Sequence, residues 1–264
     1  MNLFGFNKKK TTLSEEDSQE YILNDETPFN VREAFNTLRT NVVFGMAPSG
    51  GKSLLITSAN QSEGKSTTSV NLSVVLAQNG AKVLLIDADL RKPKLHKFFG
   101  TDYTHGLSRF LIGQESLNDS LFRTSIKGLD LMTSGVIPPN PSELLGSNRM
   151  KVFLEKAEEY YDYIIVDTPP INVVTDAAVL SKYTSAVLIV VHYGSTNRDD
   201  FQKAKNQLRI VGANVIGFSV VGVRSERKGY YKKYRAYNGY SEYGYGEKPK
   251  EKRGSESGGE GETA

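Results

Sequence analysis

Six short runs along the chain are apolar with almost no interruption: LLITS (54–58), KVLLID (82–87), LDLMT (129–133), YDYIIVD (161–167), AVLIVV (186–191) and VIGFSVVGV (215–223). Their length suits β-strands, and their lack of alternation predicts strands covered on both faces. Stretches of helical length with amphipathic spacing lie among them at 65–79, 147–160 and 197–211. Another helix is predicted over 30–44, where Val31, Ala34, Phe35, Leu38 and Val42 recur at helical spacing. Strands alternating with helices predict an α/β fold: a doubly wound, mostly parallel sheet with helices on both faces.

The same pattern sets the boundaries. Residues 1–29 read as a flexible N-terminal segment, 30–223 as one folded domain, and 224–264 as a flexible tail whose end, GSESGGEGETA, has nothing to bury. Composition changes this picture little. A net charge of +3 gives no reason to expect nucleic acid as a partner. The absence of cysteine excludes disulfides, iron–sulfur clusters and thiolate zinc sites. No apolar run approaches the roughly 18 residues of a membrane span. The start, MNLFGFNKKK, places its lysines after a short apolar patch, the reverse of a secretory signal. Leu3, Phe4 and Phe6 beside Lys8, Lys9 and Lys10 read as a frayed terminus rather than a membrane contact. The expectation is a cytoplasmic protein recruited to the inner face of the membrane through a partner.

Chemistry enters directly after the first strand. The segment ANQSEGKSTT (59–68) fits a phosphate loop: a small residue, four free positions, then Gly-Lys-Ser. Between a strand and a helix, its backbone N–H groups would cradle phosphates. Ser62, Glu63, Gly64, Lys65, Ser66 and Thr67 are the candidate nucleotide-binding residues. Lys65 would neutralise phosphate oxygens and Ser66 would ligate Mg²⁺. A second Gly-Lys-Ser, in SGGKS (49–53), precedes a strand instead of following one and reads as a plain turn. Two other strands end in carboxylates, VLLIDADLRKP at Asp87 and Asp89, and YIIVDTPP at Asp167. In a parallel sheet those ends share one edge, where open α/β folds place ligands. Asp87 and Asp167 are therefore candidate metal ligands with Ser66, and one of the carboxylates can accept a hydroxyl proton during phosphoryl transfer.

Together SANQSEGKSTTSVNLS, VLLIDADLRKP, IPPNPSELL (137–145) and YDYIIVDTPP followed by Asp176 resemble the bacterial tyrosine kinases of capsular and exopolysaccharide synthesis. These autokinases have a P-loop NTPase-like fold, and the chain resembles the Gram-positive form, in which the kinase is a separate cytosolic polypeptide. The resemblance covers about residues 28–246. It implies ATP and Mg²⁺ as cofactors, with Lys65 on the phosphates, Ser66 on the metal, and Asp87, Asp89 and Asp167 serving the metal and the attacking tyrosine. It also implies a ring-shaped homo-oligomer, a membrane-embedded polysaccharide co-polymerase whose cytosolic tail activates the kinase, and a cognate tyrosine phosphatase.

A C-terminal tyrosine cluster is the substrate in that family. Here GYYKKYRAYNGYSEYGYG (229–246) carries Tyr230, Tyr231, Tyr234, Tyr237, Tyr240, Tyr243 and Tyr245, half of the 14 tyrosines of the chain. Four positions in three motifs depart from the family pattern. Gln61 and Ser62 replace Pro-Gly in the phosphate loop, which Ser62 can sustain if its φ stays negative. The assembly motif on the first helix keeps Glu33 and Arg39, but Asn36 stands where its middle arginine belongs. Val221 occupies the place of the asparagine that reads the adenine. Two rival functions remain at this stage: a spatial-switch ATPase of the partitioning or septum-positioning type, and an ATP-binding adaptor with little catalysis. The switch ATPases carry a lysine five positions before the phosphate-loop lysine, where this chain has Asn60.

Overall fold

The chain divides into Met1–Val223 and Arg224–Ala264. The computed structural model describes residues 18–223, so the tyrosine cluster at 230–245 lies outside the described residues. After helix α1 (Phe29–Met46) come strand β1 (Ser53–Ser58), helix α2 (Lys65–Gln78) and strand β2 (Val83–Asp87). Short helices α3 (Leu95–Phe99) and α4 (Leu107–Leu111) lead to β3 (Phe122–Arg123) and β4 (Leu129–Met132). Helices α5 (Pro141–Leu145) and α6 (Asn148–Tyr160), strand β5 (Tyr163–Asp167) and helix α7 (Asp176–Leu180) follow. Strand β6 (Ala186–His192), helix α8 (Arg198–Ile210) and strand β7 (Val215–Val221) complete it.

All seven strands form one sheet in the order β3-β4-β2-β5-β1-β6-β7. Every pairing is parallel except β3 with β4. The two residues of β3 are too few to show a period, which is why the sequence gives no sign of that edge strand.

Burial on both faces accounts for the unbroken apolar runs. Leu55, Leu84, Ile86, Ile164, Val166, Val187 and Ile189 pack on one side with Phe153 and Leu154 of α6 and Leu208 of α8. Their alternate neighbours Leu54, Ile56, Val83, Leu85, Ile165 and Leu188 pack on the other with Val42 of α1 and Val70, Leu72 and Val74 of α2. Strand β7 departs from the expectation of two covered faces. It is the sheet edge, and Phe218 remains 60% exposed, backed on one side by Phe201 at 5.5 Å between ring centroids.

Residues 18–29 also differ from the expected flexible segment. Leu23 is buried, its N–H donates to Asn71 Oδ1 at 2.8 Å, and Asn71 Nδ2 donates to the Tyr21 carbonyl at 2.8 Å. Two reciprocal bonds to a buried asparagine of α2 fasten this stretch to the domain. Among the described residues no helix is long and apolar enough to cross a membrane.

Candidate active site

Because β1 is central, its C-terminal end opens into the middle of the sheet edge. The loop 59–64 leaves that end and turns into α2 at Gly64, whose φ is +84°. That conformation favours glycine, and a Cβ there would crowd Val221 Cγ2 at 3.0 Å. This also places Val221 directly against the loop. The SGGKS turn behaves as expected. It lies before β1, and Lys52 Nζ donates to the Glu158 carbonyl at 2.7 Å.

Ser62 corrects the expectation of a negative φ. Its φ is +63°, the only positive value at a non-glycine position among the described residues. The left-handed region costs a serine about 1 kcal/mol, and the loop adopts it nonetheless. Glu63 is buried and accepts the Asn60 N–H at 3.0 Å. Thr67 is half-buried in the first turn of α2, and Thr68 Oγ1 donates to the Gly64 carbonyl at 2.9 Å.

Strand order then assembles the chemistry. Strand β5 lies between β1 and β2, and Asp87 is in register with Asp167. Lys65 Nζ reaches across to Asp89 Oδ2 at 3.2 Å and Asp167 Oδ2 at 3.9 Å, and lies 3.4 Å from Ser66 Oγ. Asp167 Oδ1 accepts from Ser69 Oγ at 3.0 Å, while its buried Oδ2 accepts no hydrogen bond. Asp87 Oδ2 accepts two backbone N–H groups, Lys94 at 3.0 Å and Leu95 at 2.9 Å, and its Oδ1 accepts that of Asp89 at 3.2 Å. Each of Lys65, Asp87, Asp89 and Asp167 is buried.

Burial and the neighbouring Asp167 push the Asp87 carboxyl up to about 7. Burial also raises Asp167, against the pull of Lys65. For Lys65, burial works against the ammonium form, but Asp167, Asp89 and Asp87 outweigh it and the pKa rises. The site thus holds a fixed cation beside a carboxyl poised to exchange a proton near neutral pH. The donor set fits Mg²⁺. That ion takes few protein oxygens and keeps waters and substrate phosphates, and Ser66 with the unbonded Asp167 oxygen supplies such a partial shell. No group of three or more carboxylates and imidazoles forms a closed cage among the described residues.

A second cluster links three of the motifs. The Arg91 guanidinium clasps Asp176 in a two-pronged pair, Nε to Oδ2 at 2.8 Å and Nη2 to Oδ1 at 3.0 Å. Ser142, from the PPNPSELL segment, accepts from Arg91 Nη2 at 3.0 Å and donates to Asp176. The fully buried Asp176 therefore fixes the loop after β2 to α5 and α7. In the sequence Asp176 stands out only as part of a motif, with nothing to pair it with Arg91. Sequence reading missed Ser69 and the Lys94 and Leu95 amides, which carry no chemical signature. Glu33 and Arg39 lie on α1 away from this cluster of carboxylates, and Asn36 Nδ2 donates to Glu33 Oε1 at 2.9 Å.

The AAA domain family matches residues 40–206. Tyrosine-protein kinase YwqD of Bacillus subtilis is 41% identical over 213 residues, 81% of this chain and 85% of YwqD. The chain belongs to the bacterial tyrosine-protein kinases. CapB of Staphylococcus aureus is 38% identical over 210 residues, covering 80% of this chain and 90% of CapB. The solved kinase domain of Escherichia coli tyrosine kinase Etk superposes with a TM-score of 0.72 at 36% identity, covering 82% of this chain and 80% of that domain.

Proposed function

We infer that this chain is an ATP- and Mg²⁺-dependent protein-tyrosine kinase acting on its own C-terminal tyrosines between subunits, and that it controls capsular or exopolysaccharide production. The observation that carries this reading is the convergence of Lys65, Asp87, Asp89 and Asp167 beside the phosphate loop. The loop amides and Lys65 bind and neutralise the β- and γ-phosphates. Asp87, held near neutrality, takes the phenol proton as the tyrosine oxygen attacks phosphorus and the bond to the departing ADP oxygen breaks. Bound by Ser66 and Asp167, Mg²⁺ would neutralise phosphate charge.

Tyr230, Tyr231, Tyr234, Tyr237, Tyr240, Tyr243 and Tyr245 are the proposed acceptors, with Lys232, Lys233 and Arg235 drawing the cluster to phosphate. Glu33 and Arg39 are proposed to hold neighbouring subunits in a ring. A membrane-embedded co-polymerase would recruit and activate the kinase, and a tyrosine phosphatase would reset it. The switch-ATPase reading loses support at Asn60. Its Nδ2 donates to Asp200 Oδ2 of the same chain at 2.9 Å, so the position is occupied internally.

The test is phosphotyrosine mapping after incubation with ATP and Mg²⁺, with and without the activator tail. Phosphate on the 230–245 cluster that disappears in Lys65→Met establishes the autokinase. Steady ATP hydrolysis without phosphotyrosine under both conditions would refute it.

A further inference from the structure

The phosphate loop is held by residues outside its own strand and helix. Glu63, 2% exposed, receives the Asn60 N–H on Oε2 and the Thr196 hydroxyl on Oε1 at 2.7 Å. Thr196 lies in the turn between β6 and α8. Its one hydroxyl proton is committed to Glu63, and its oxygen accepts the His192 N–H at 2.9 Å. His192 ends β6 and pairs with Val221, which packs on Gly64. A parallel tether runs from Asn60 Nδ2 to Asp200 Oδ2, and Asp200 is itself fixed by the Asn197 cap at the start of α8. Between these anchor points sits Ser62 at its positive φ, a conformation that persists only where the surroundings impose it.

We propose that Thr196 is a positioning residue for nucleotide binding: its hydroxyl relays the fixed end of β6 to Glu63 and so keeps the phosphate loop in its binding conformation. Loss of that hydroxyl leaves a buried carboxylate short of a donor and a strand-end N–H short of an acceptor. The loop then relaxes toward forms in which Ser62 leaves the left-handed region. Apparent affinity falls by the fraction of chains that no longer hold the loop ready. The inference rests on the loop being the nucleotide site.

The experiment titrates Mg–ADP calorimetrically into the full chain, and into Thr196→Val and Thr196→Ser. Valine keeps the shape and deletes the hydroxyl; serine keeps the hydroxyl. We expect valine to raise Kd about tenfold and serine to stay within twofold of wild type. In phosphotransfer assays, valine should raise KM for ATP with kcat within twofold. If the valine chain does not fold, Thr196→Ala carries the same expectation. Valine binding within twofold of wild type, or serine binding as weakly as valine, overturns the inference. A wild-type chain that binds no Mg–ADP overturns the nucleotide-site reading itself, and this inference with it.

Discussion

Replacing Asp87 with asparagine should sharply reduce phosphotransfer and, relative to wild type, stabilise the nucleotide-free protein as pH rises from 5 to 8. The carboxyl sits at about 7 in the fold against an ordinary 3.8. A raised carboxyl contributes stability that is complete below the unfolded value and is lost as pH rises through the folded one. Between those values the unfolded chain has released its proton while the folded chain retains it, so each pH unit costs about 1.4 kcal/mol. From pH 5 to pH 8, wild type therefore loses about 3 kcal/mol through Asp87, a loss the asparagine variant does not share. The Lys94 and Leu95 N–H groups can still donate to the amide oxygen, while the Asp89 N–H loses its acceptor at both pH values alike. Relaxed repulsion with Asp167 acts in the same direction. For a domain of this size the difference corresponds to a relative rise of about 6–12 °C in Tm between pH 5 and pH 8. Thermal melts of both chains at the two pH values, without nucleotide or Mg²⁺, measure it. A Tm difference that is the same at both pH values would refute the reasoning. Phosphotyrosine formation should drop at least about 100-fold at either pH.

Arg91→Met strands the fully buried Asp176 and should cost about 3 kcal/mol. Calorimetry should show the melt falling by several degrees, with part of the loss recovered on adding Asp176→Asn; a Tm within 2 °C of wild type, using about 2–4 °C per kcal/mol as the scale, would contradict this. At position 62, ATP affinity should follow glycine ≥ serine > valine, since a β-branched residue tolerates positive φ worst; equal affinity of Ser62→Val and wild type by fluorescence titration would show that the left-handed loop is not the binding form. On α1, Asn36→Arg removes the amide that occupies Glu33 within one helix and should shift light-scattering mass toward larger assemblies. An unchanged mass would argue against Glu33 as an assembly residue.

Some of this protein is written locally. The β1, β2, β5 and β6 runs are apolar throughout because helices cover both faces of the sheet, and such burial leaves an unbroken signature in sequence. The phosphate loop is equally legible, because small residues, a lysine and a serine at fixed spacing answer a local demand of phosphate binding. Aspartates ending apolar strands pointed to the shared edge. Other features depend on partners distant in sequence. Only strand order puts β5 between β1 and β2 and so sets Asp167 beside Asp87, where burial raises both carboxyls and Asp167 raises Asp87 further. Only packing brings Arg91, Ser142 and Asp176 together from three segments, or Thr196 onto Glu63. The tethers on Asn60 and Glu63 flank Ser62, which adopts a positive φ against the expectation from residue type. Local preferences are worth about 1 kcal/mol at a single position, so the long-range hydrogen bonds around the loop are strong enough to overrule them. The sequence by itself determined which groups could do phosphoryl transfer. The tertiary structure decided which of them meet, what their proton affinities become, and what holds the loop in place.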